Sequence, residues 1–190
     1  MPNEETFRDL YLEQLRDLYS AENQLTKALP KMAKAATNED LKNGFTEHLE
    51  QTRGHIQRLE QIFQALNEKP TGTKCKAMEG LVAEGSEMIE SDFEGAVKDA
   101  GLIAAAQRVE HYEISAYGTA KTFAEVLGDT EAISLLNETE EEERETDEKL
   151  TQLASEINSQ ANSGSSGAEG DDEEESSSKP RVVKAKAARA

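Results

Sequence analysis

Apolar residues recur every three or four positions through four long stretches of this sequence. That spacing predicts long amphipathic helices. The first covers about residues 4–36, and the second follows a capping segment at 37–40 and continues to about residue 66. The third ends at Gly128, a residue suited to a left-handed cap, and the fourth runs from Asp129 to about residue 159.

A segment that breaks the helical pattern separates the second and third long helices. It contains Pro70 and Gly72 and is followed by a shorter apolar pattern. We interpret it as a long crossover that carries a short extra helix. Two antiparallel helical hairpins joined by one long crossover are the ferritin-like arrangement. The predicted fold is therefore all-α, a ferritin-like four-helix bundle over residues 1–160.

The composition changes after the fourth helix. Residues 161–190 contain an acidic, serine-rich block followed by the basic end KPRVVKAKAARA, and no apolar periodicity continues through them. Such a segment buries too little apolar surface to offset the entropy that ordering would cost. We predict a disordered tail, acidic and then basic.

The charge and the single cysteine limit the partners and the compartment. A formal net charge of −18 opposes binding to phosphate backbones and anionic membranes, but it attracts cations. We expect no membrane partner, and no nucleic acid contact beyond a weak one through the basic tail end. Cys75 is the only cysteine, which excludes an intramolecular disulfide. With no leader pattern or long apolar run, the sequence favours the cytoplasm.

Acidic residues interrupt the apolar faces of three predicted helices near their midpoints. A buried carboxylate without a partner is unfavourable, so several of them stay ionised together only if cations lie between them. An i, i+3 or i, i+4 spacing places two ligands on one helix face. The second helix adds a histidine and, one turn later, a glutamine. The candidate metal ligands are Glu22, His48, Gln51, Glu110, Glu113, Glu143 and Asp147.

Other acids and histidines of these helices are interpreted more simply. Glutamates at helical spacing in an acidic helix are usually solvated, and a lone histidine is usually not a ligand. Tyr19 and Tyr117 lie one turn from Glu22 and Glu113; either could donate a hydrogen bond or an electron, although a core aromatic with a polar tip is the simpler reading. Surface positions are predicted for Glu140, Glu141, Glu142 and Glu145, and ordinary roles for His55 and His111.

About residues 5–155 resemble the YciF/YciE family of bacterial ferritin-like stress proteins. The segments that carry the resemblance are DLYSAENQL, EHLEQTRGHIQRLEQIF, KAMEGLVAEG, DAGLIAAAQRVEHYEISAYGT and ETEEEERETDEKL. The resemblance implies a di-metal ferritin-like domain, a homodimer and a role in stress response, and it assigns the metal site to the same seven positions. Ferritin-like sites usually place Glu-x-x-His on the second helix, whereas this chain has His48-x-x-Gln51. Glu50 is therefore an alternative ligand.

Three functions fit this set of residues. Oxygen-rich ligands with an imidazole suit iron or manganese, so the first hypothesis is a protein with two iron ions, or two manganese ions, that reacts with peroxide or dioxygen. It would then act as a peroxidase or oxidase. The second is metal storage or sequestration, and the third is a structural or interaction scaffold with a degenerate metal site.

Overall fold

The computed structural model describes residues 6–165, and every regular element in that part of the chain is a helix. The four long helices and the short crossover helix of the prediction are all present. Their bounds are α1 Phe7–Ala35, α2 Glu39–Ala65, α3 Lys76–Glu90, α4 Gly95–Leu127 and α5 Thr130–Ser165. None of these helices is both long enough and apolar enough to span a bilayer.

The helix ends follow the capping residues in the sequence. Thr6 caps α1 through a capping box in which its hydroxyl accepts from Asp9 N at 3.2 Å and the Asp9 carboxylate accepts from Thr6 N at 2.8 Å. Asn38 caps α2 by accepting from Leu41 N at 3.0 Å. Gly128 ends α4 with a φ of 74°, which is the left-handed conformation predicted for this residue.

The last helix is longer than predicted. We placed its end near residue 159, where the apolar periodicity stops, but α5 continues to Ser165. The segment between Ile157 and Gly164 contains no glycine or proline, so nothing in it breaks the helix. Residues 161–165 therefore belong to α5 and not to the tail. The predicted disorder of residues 166–190 lies outside the described residues.

The helices pack as two antiparallel hairpins. One consists of α1 and α2 and the other of α4 and α5, and the hairpins meet where α1 contacts α4 and α2 contacts α5. The crossover helix α3 lies against α1 and α4. This is the two-hairpin arrangement with a long crossover that the sequence predicts.

The apolar core is divided into two clusters along the bundle. On α2 one cluster ends at Phe45 and the other begins at Leu59, while on α5 they end at Leu136 and resume at Leu150. The α4 members likewise stop at Val109 and resume at Tyr117. Polar residues occupy the interval on each of these helices, so a polar layer lies across the middle of the bundle.

Asp99 of α4 fixes the turn between α1 and α2. It is buried, with 1% of its surface exposed, and it accepts from Thr37 N and Asn38 N, each at 2.8 Å, and from the Thr37 hydroxyl at 2.5 Å. These bonds join the second hairpin to the N-terminus of α2. Buried donors left without an acceptor are costly, which makes this a structural contact of high value.

We expect Asp99→Ala to destabilise the fold by about 2–3 kcal/mol, because it leaves two backbone N–H groups and a hydroxyl without their acceptor. The free energy of unfolding in urea measures the effect. The exposed Asp92 is the control, and Asp92→Ala should change stability by less than about 0.5 kcal/mol. Equal effects of the two substitutions would contradict this account of Asp99.

Candidate metal centre

Six ionisable side chains form the middle of the polar layer. Each is at most 3% exposed, and together they come from all four long helices. Buried ionisable groups normally have charged or hydrogen-bonding partners, so such a cluster points to a shared ligand. Its members are Glu22 on α1, His48 and His55 on α2, Glu110 and Glu113 on α4, and Glu143 on α5.

The register of α2 explains why it contributes both histidines. Its buried positions follow one another by threes and fours, through Phe45, His48, Thr52, His55 and Leu59. His48 and His55 are seven residues apart, an interval that returns to nearly the same helix face at about 100° per residue. Both rings therefore point into the bundle, and their centroids lie 6.4 Å apart.

The side chains form two groups, each able to hold one metal ion. One group contains His48, Glu110, Glu113 and Glu143, and the other contains Glu22, His55 and Glu143; within each group the ligand atoms lie within 4.8 Å of one another. Glu143 belongs to both. Its Oε2 is 3.9 Å from His48 Nε2, and its Oε1 is 3.1 Å from His55 Nδ1. Glu143 is thus placed to bridge two ions.

The donor atoms of this cluster lack other partners. Within residues 6–165, nine buried side-chain nitrogen or oxygen atoms have no hydrogen-bond partner, and eight of them belong to these six residues. Both carboxylate oxygens of Glu113 and both of Glu143 lack a hydrogen-bond partner. Unpaired buried acceptors are rare because they are costly, and cations would satisfy them. The residues present therefore fit a two-metal site.

Neighbouring residues hold both histidine rings with one nitrogen toward the cluster. His55 Nε2 is 2.8 Å from Glu142 Oε2, and Arg58 donates to both oxygens of Glu142 at 2.7 and 2.9 Å. His48 Nδ1 is 3.5 Å from the Thr146 hydroxyl. Contacts of this kind orient metal-binding histidines. They leave His55 Nδ1 and His48 Nε2 facing the carboxylates.

Burial and mutual repulsion raise two of the carboxyl pKa values. Burial, with the nearby charge of Glu143, raises the pKa of Glu110 well above its ordinary value. Burial raises the pKa of Glu113 in the same way, with added repulsion from Glu143 and Glu22. In the metal-free protein these two groups therefore hold protons at pH values where a solvated glutamate is ionised.

The histidines reverse the effect at a third carboxyl. Burial alone would raise the pKa of Glu143, but the proximity of His55 and His48 outweighs it and lowers that pKa. Burial alone would lower the pKa of His55, but Glu22, Glu142 and Glu143 raise it to about 12. Without metal, charged His55 pairs with these carboxylates. Metal binding at Nδ1 requires His55 to release a proton.

The structure brings together five of the seven predicted ligands: Glu22, His48, Glu110, Glu113 and Glu143. Gln51 is half-buried, lies about 60° around α2 from His48, and lines a small cavity together with His48 and Glu110. Asp147 lies outside both groups, and it contacts Gln107 at 3.0 Å and His111 at 3.5 Å between α4 and α5. Glu50, the alternative ligand, is exposed and pairs with Arg53. Metal binding by the five stays a prediction.

His55 and two acids contact their neighbours in ways that the sequence did not predict. The apolar residues Leu49 and Ile56 of α2 are half-buried and lie beside the inner face, whereas His48 and His55 lie on that face. The seven-residue interval between His48 and His55 was the signal that could have identified the second histidine. The surface prediction is wrong for Glu140, which is 7% exposed and binds Lys121 and Arg144. Glu142 is half-buried and contacts His55.

The two tyrosines considered near the site differ in position. Tyr117 is buried and donates its hydroxyl to Glu22 Oε1 at 2.5 Å, which leaves Oε2 of that carboxylate without a partner. Tyr19 instead donates to Glu60 at 3.0 Å on the exposed side of α2. Tyr117 therefore orients a candidate ligand, whereas Tyr19 does not reach the cluster.

Two helical hairpins that enclose two groups of buried carboxylates and histidines define a ferritin-like protein with a candidate two-metal centre. Comparisons with known proteins identify its family. The chain belongs to the family described as Domain of unknown function (DUF892), which matches residues 6–162. The resemblance found in the sequence is thereby confirmed at the level of the family.

Two relatives are similar in both sequence and structure. Protein YciF of Escherichia coli (strain K12) is 53% identical over 153 residues, which cover 80% of this chain and 92% of YciF. The crystal structure of the E. coli stress protein YciF superposes with a TM-score of 0.79 at 52% identity, covering 80% of this chain and 97% of that one. The structure of YcfI from Rhodopseudomonas palustris superposes with a TM-score of 0.76 at 45% identity, covering 79% of this chain and 96% of that one.

A more distant structure supports the fold class. Ferritin-like, diiron-carboxylate proteins from Bacillus anthracis match with a TM-score of 0.62 at 18% identity, covering 79% of this chain and 99% of that chain. At that identity the likeness shows the fold alone. The predicted ferritin-like bundle is confirmed.

We expect the metal-free protein to become more stable as the pH falls from 8 to 5. In the unfolded chain, Glu110 and Glu113 have the ordinary pKa of 4.5 and are ionised above that pH. In the folded protein their pKa values are raised, so they keep their protons to higher pH. Folding then takes up protons, so acidification favours it. His55 acts in the same direction, since the stability from its charged form is complete below 6.5 and is lost as the pH rises through about 12.

Urea unfolding of chelator-treated protein at several pH values measures this dependence. The series stops at pH 5 because Glu142, with its pKa lowered to about 2 chiefly by the hydrogen bond from His55, loses its stabilising contribution in stronger acid. Stability that declines steadily from pH 8 to 5 would show that the carboxyls are not clustered in solution.

Proposed function

We propose that this protein is a di-iron carboxylate protein that binds two iron ions between its hairpins and reacts with peroxide or dioxygen in a stress response. The observation that carries the proposal is the set of eight buried nitrogen and oxygen atoms without hydrogen-bond partners on six side chains. The similarity to the E. coli stress protein YciF supports the physiological part of the proposal.

The number and charge of the ligands favour two divalent ions. Four carboxylates and two imidazoles are the donor set of ferritin-like di-metal sites. Four ionised carboxylates carry the charge that two divalent cations neutralise, so the loaded site has no net charge to hold in a low-dielectric interior. Glu143 belongs to both ligand groups and would be shared by the two ions, so the six side chains would suffice without Gln51. The chain differs from the usual pattern in taking both imidazoles from α2.

The donor types favour iron, with manganese as the alternative. Carboxylate oxygens combined with imidazole nitrogens suit both metals better than thiolate-preferring ions. When bound, two iron ions supply the two electrons that convert peroxide and two protons to water. The protein contributes an interior that excludes bulk water, a bridging carboxylate at Glu143, and a hydrogen bond from Tyr117 that orients Glu22.

The other functions remain as outcomes of the test. Storage predicts uptake of many more than two ions per assembled chain, and a scaffold with a degenerate site predicts none. The completeness of the buried donor set argues against the scaffold. A homodimer, which the family resemblance implies, stays a prediction.

An anaerobic titration with Fe(II), followed by addition of peroxide, tests the proposal. We expect about two ions per chain, because the ligands form two groups, and rapid oxidation of the bound iron. Glu113→Gln should lower the iron content, because it removes a ligand charge with both oxygens unpaired. Glu141→Gln is the control, since Glu141 is exposed and accepts from Asn137 at 2.8 Å.

The same variants separate a ligand from a structural residue. Glu113→Gln should raise the stability of the metal-free protein at pH 7 by on the order of 1 kcal/mol, because the fold no longer has to keep a buried carboxyl protonated at a pH where the unfolded chain ionises it. Glu141→Gln should change neither iron content nor stability. If both variants keep the iron content of the parent protein, Glu113 is not a ligand and the two-metal proposal fails.

A further inference from the structure

A small cavity between α2 and α5 reaches the first ligand group. Its volume is about 30 Å³, enough for one or two water molecules. His48 and Glu110 line it, and each is at most 3% exposed and has an atom without a hydrogen-bond partner, Nε2 and Oε2 respectively. Two candidate ligands of the first group therefore border this small cavity.

A larger depression on the surface adjoins this cavity. Its volume is about 420 Å³, and it shares four lining residues with the inner cavity: Gly44, Glu47, Lys149 and Leu153. The shared walls place the two spaces next to each other, and we refer to them together as the passage. Asp40, Glu47 and Glu156 line the outer part with a single base, Lys149, so its field attracts cations.

We propose that this passage is the route by which divalent cations and peroxide-sized molecules reach the metal centre. We call it the access channel and define it by the four shared residues, Gly44, Glu47, Lys149 and Leu153. The proposal rests on the proposed function, because a route for metal ions has a purpose only if the centre binds them. The access channel defines where the ions enter the protein and which of the two ligand groups binds an ion first.

Gly44 keeps the channel open. Gly44 is half-buried in the second turn of α2, a helix-interior position where glycine is destabilising relative to alanine. No close packing requires it, since a Cβ at this position would meet nothing within 4 Å. A side chain there would instead extend into the space between α2 and α5. The missing side chain thus preserves the opening.

An ion pair at the mouth covers the channel without closing it firmly. Lys149 Nζ lies 3.7 Å from Glu47 Oε2, and the two side chains are 52% and 64% exposed. Such an exposed pair is weak and exchanges readily with water and salt. The pair can therefore open for an incoming cation, and Glu47 offers that cation a first carboxylate contact.

The position of the channel sets the order of binding. It ends at His48 and Glu110, which belong to the first ligand group, while Glu22 and His55 of the second group are not in its lining. An ion that enters here meets the first group before the second. Glu143, which belongs to both groups, provides the carboxylate through which an ion passes onward.

Chemical blockage of the channel in the folded protein tests the proposal. In the Gly44→Cys variant, N-ethylmaleimide would attach a bulky group at the channel wall after folding, while native Cys75, with 0% exposure, is protected. The rate of Co(II) binding, followed by its visible absorbance, is measured before and after alkylation. Gly54→Cys is the matched control, because Gly54 is also half-buried in α2, has free space at its Cβ and lines neither cavity.

We expect alkylation of Gly44→Cys to slow Co(II) binding by at least about tenfold, and alkylation of Gly54→Cys to change it by less than about twofold. The final Co(II) content should stay the same in both, since the ligands are untouched. Equal rates before and after alkylation of Gly44→Cys would overturn the access channel. Absence of Co(II) binding in the unmodified protein would overturn the proposed function itself, so the two failures are distinguishable.

The charge at the mouth provides a second, independent test. Lys149→Gln removes the only base of the channel and should speed Co(II) binding several-fold at low ionic strength, an effect that salt should suppress. Lys27→Gln is its control, because Lys27 is exposed and lines a different cavity. If the two variants speed binding equally, net charge alone sets the rate, and the channel is not the route.

Discussion

The burial of four carboxylates at the middle of one helical bundle is the constraint on which the rest of the structure depends. An ion in the interior loses its hydration, and it must recover that loss by protonation, pairing or coordination. The metal-free protein uses the first two, since Glu110 and Glu113 hold protons while Glu143 pairs with His55. Coordination would satisfy all of them at once.

The remainder of the molecule keeps these groups in place. Apolar clusters on both sides of the polar layer fix the spacing of the four long helices. Around the layer, Glu142 and Arg58 orient His55, Thr146 orients His48, and Tyr117 orients Glu22. The ligands therefore lie on rigid helices with supported rotamers, which is the condition for a preorganised metal site.

The sequence predicted the helices and most of the acids because both depend on local periodicity. Pro70, Gly128 and the capping residues lie at helix ends or between helices, and Glu22, Glu110 and Glu143 interrupt otherwise apolar faces. It failed where a choice between neighbouring faces decided the answer. On α2, the apolar residue Leu49 lies about 100° from the face that His48 and Thr52 share with the core.

Two further acids lie in surroundings that the sequence did not predict. Asp147 has helical spacing from Glu143 that suits a ligand, but Gln107 and His111 on α4 lie where they can contact it first. Glu140 looks like its glutamate neighbours in sequence, yet Lys121 of the adjacent helix neutralises it at the helix interface. Contacts between helices decide such cases, and a single sequence does not display them.

The distribution of ligands between the hairpins has a mechanical consequence. Each group takes donors from both hairpins, since Glu22, His48 and His55 come from α1 and α2, while Glu110, Glu113 and Glu143 come from α4 and α5. A bound ion would thus act as a reversible cross-link between two units that are each formed by contacts near in sequence. Loss of the ions would remove this cross-link, while the contacts within each hairpin would remain. Docking of the hairpins, more than formation of either one, would then depend on the supply of metal in the cell.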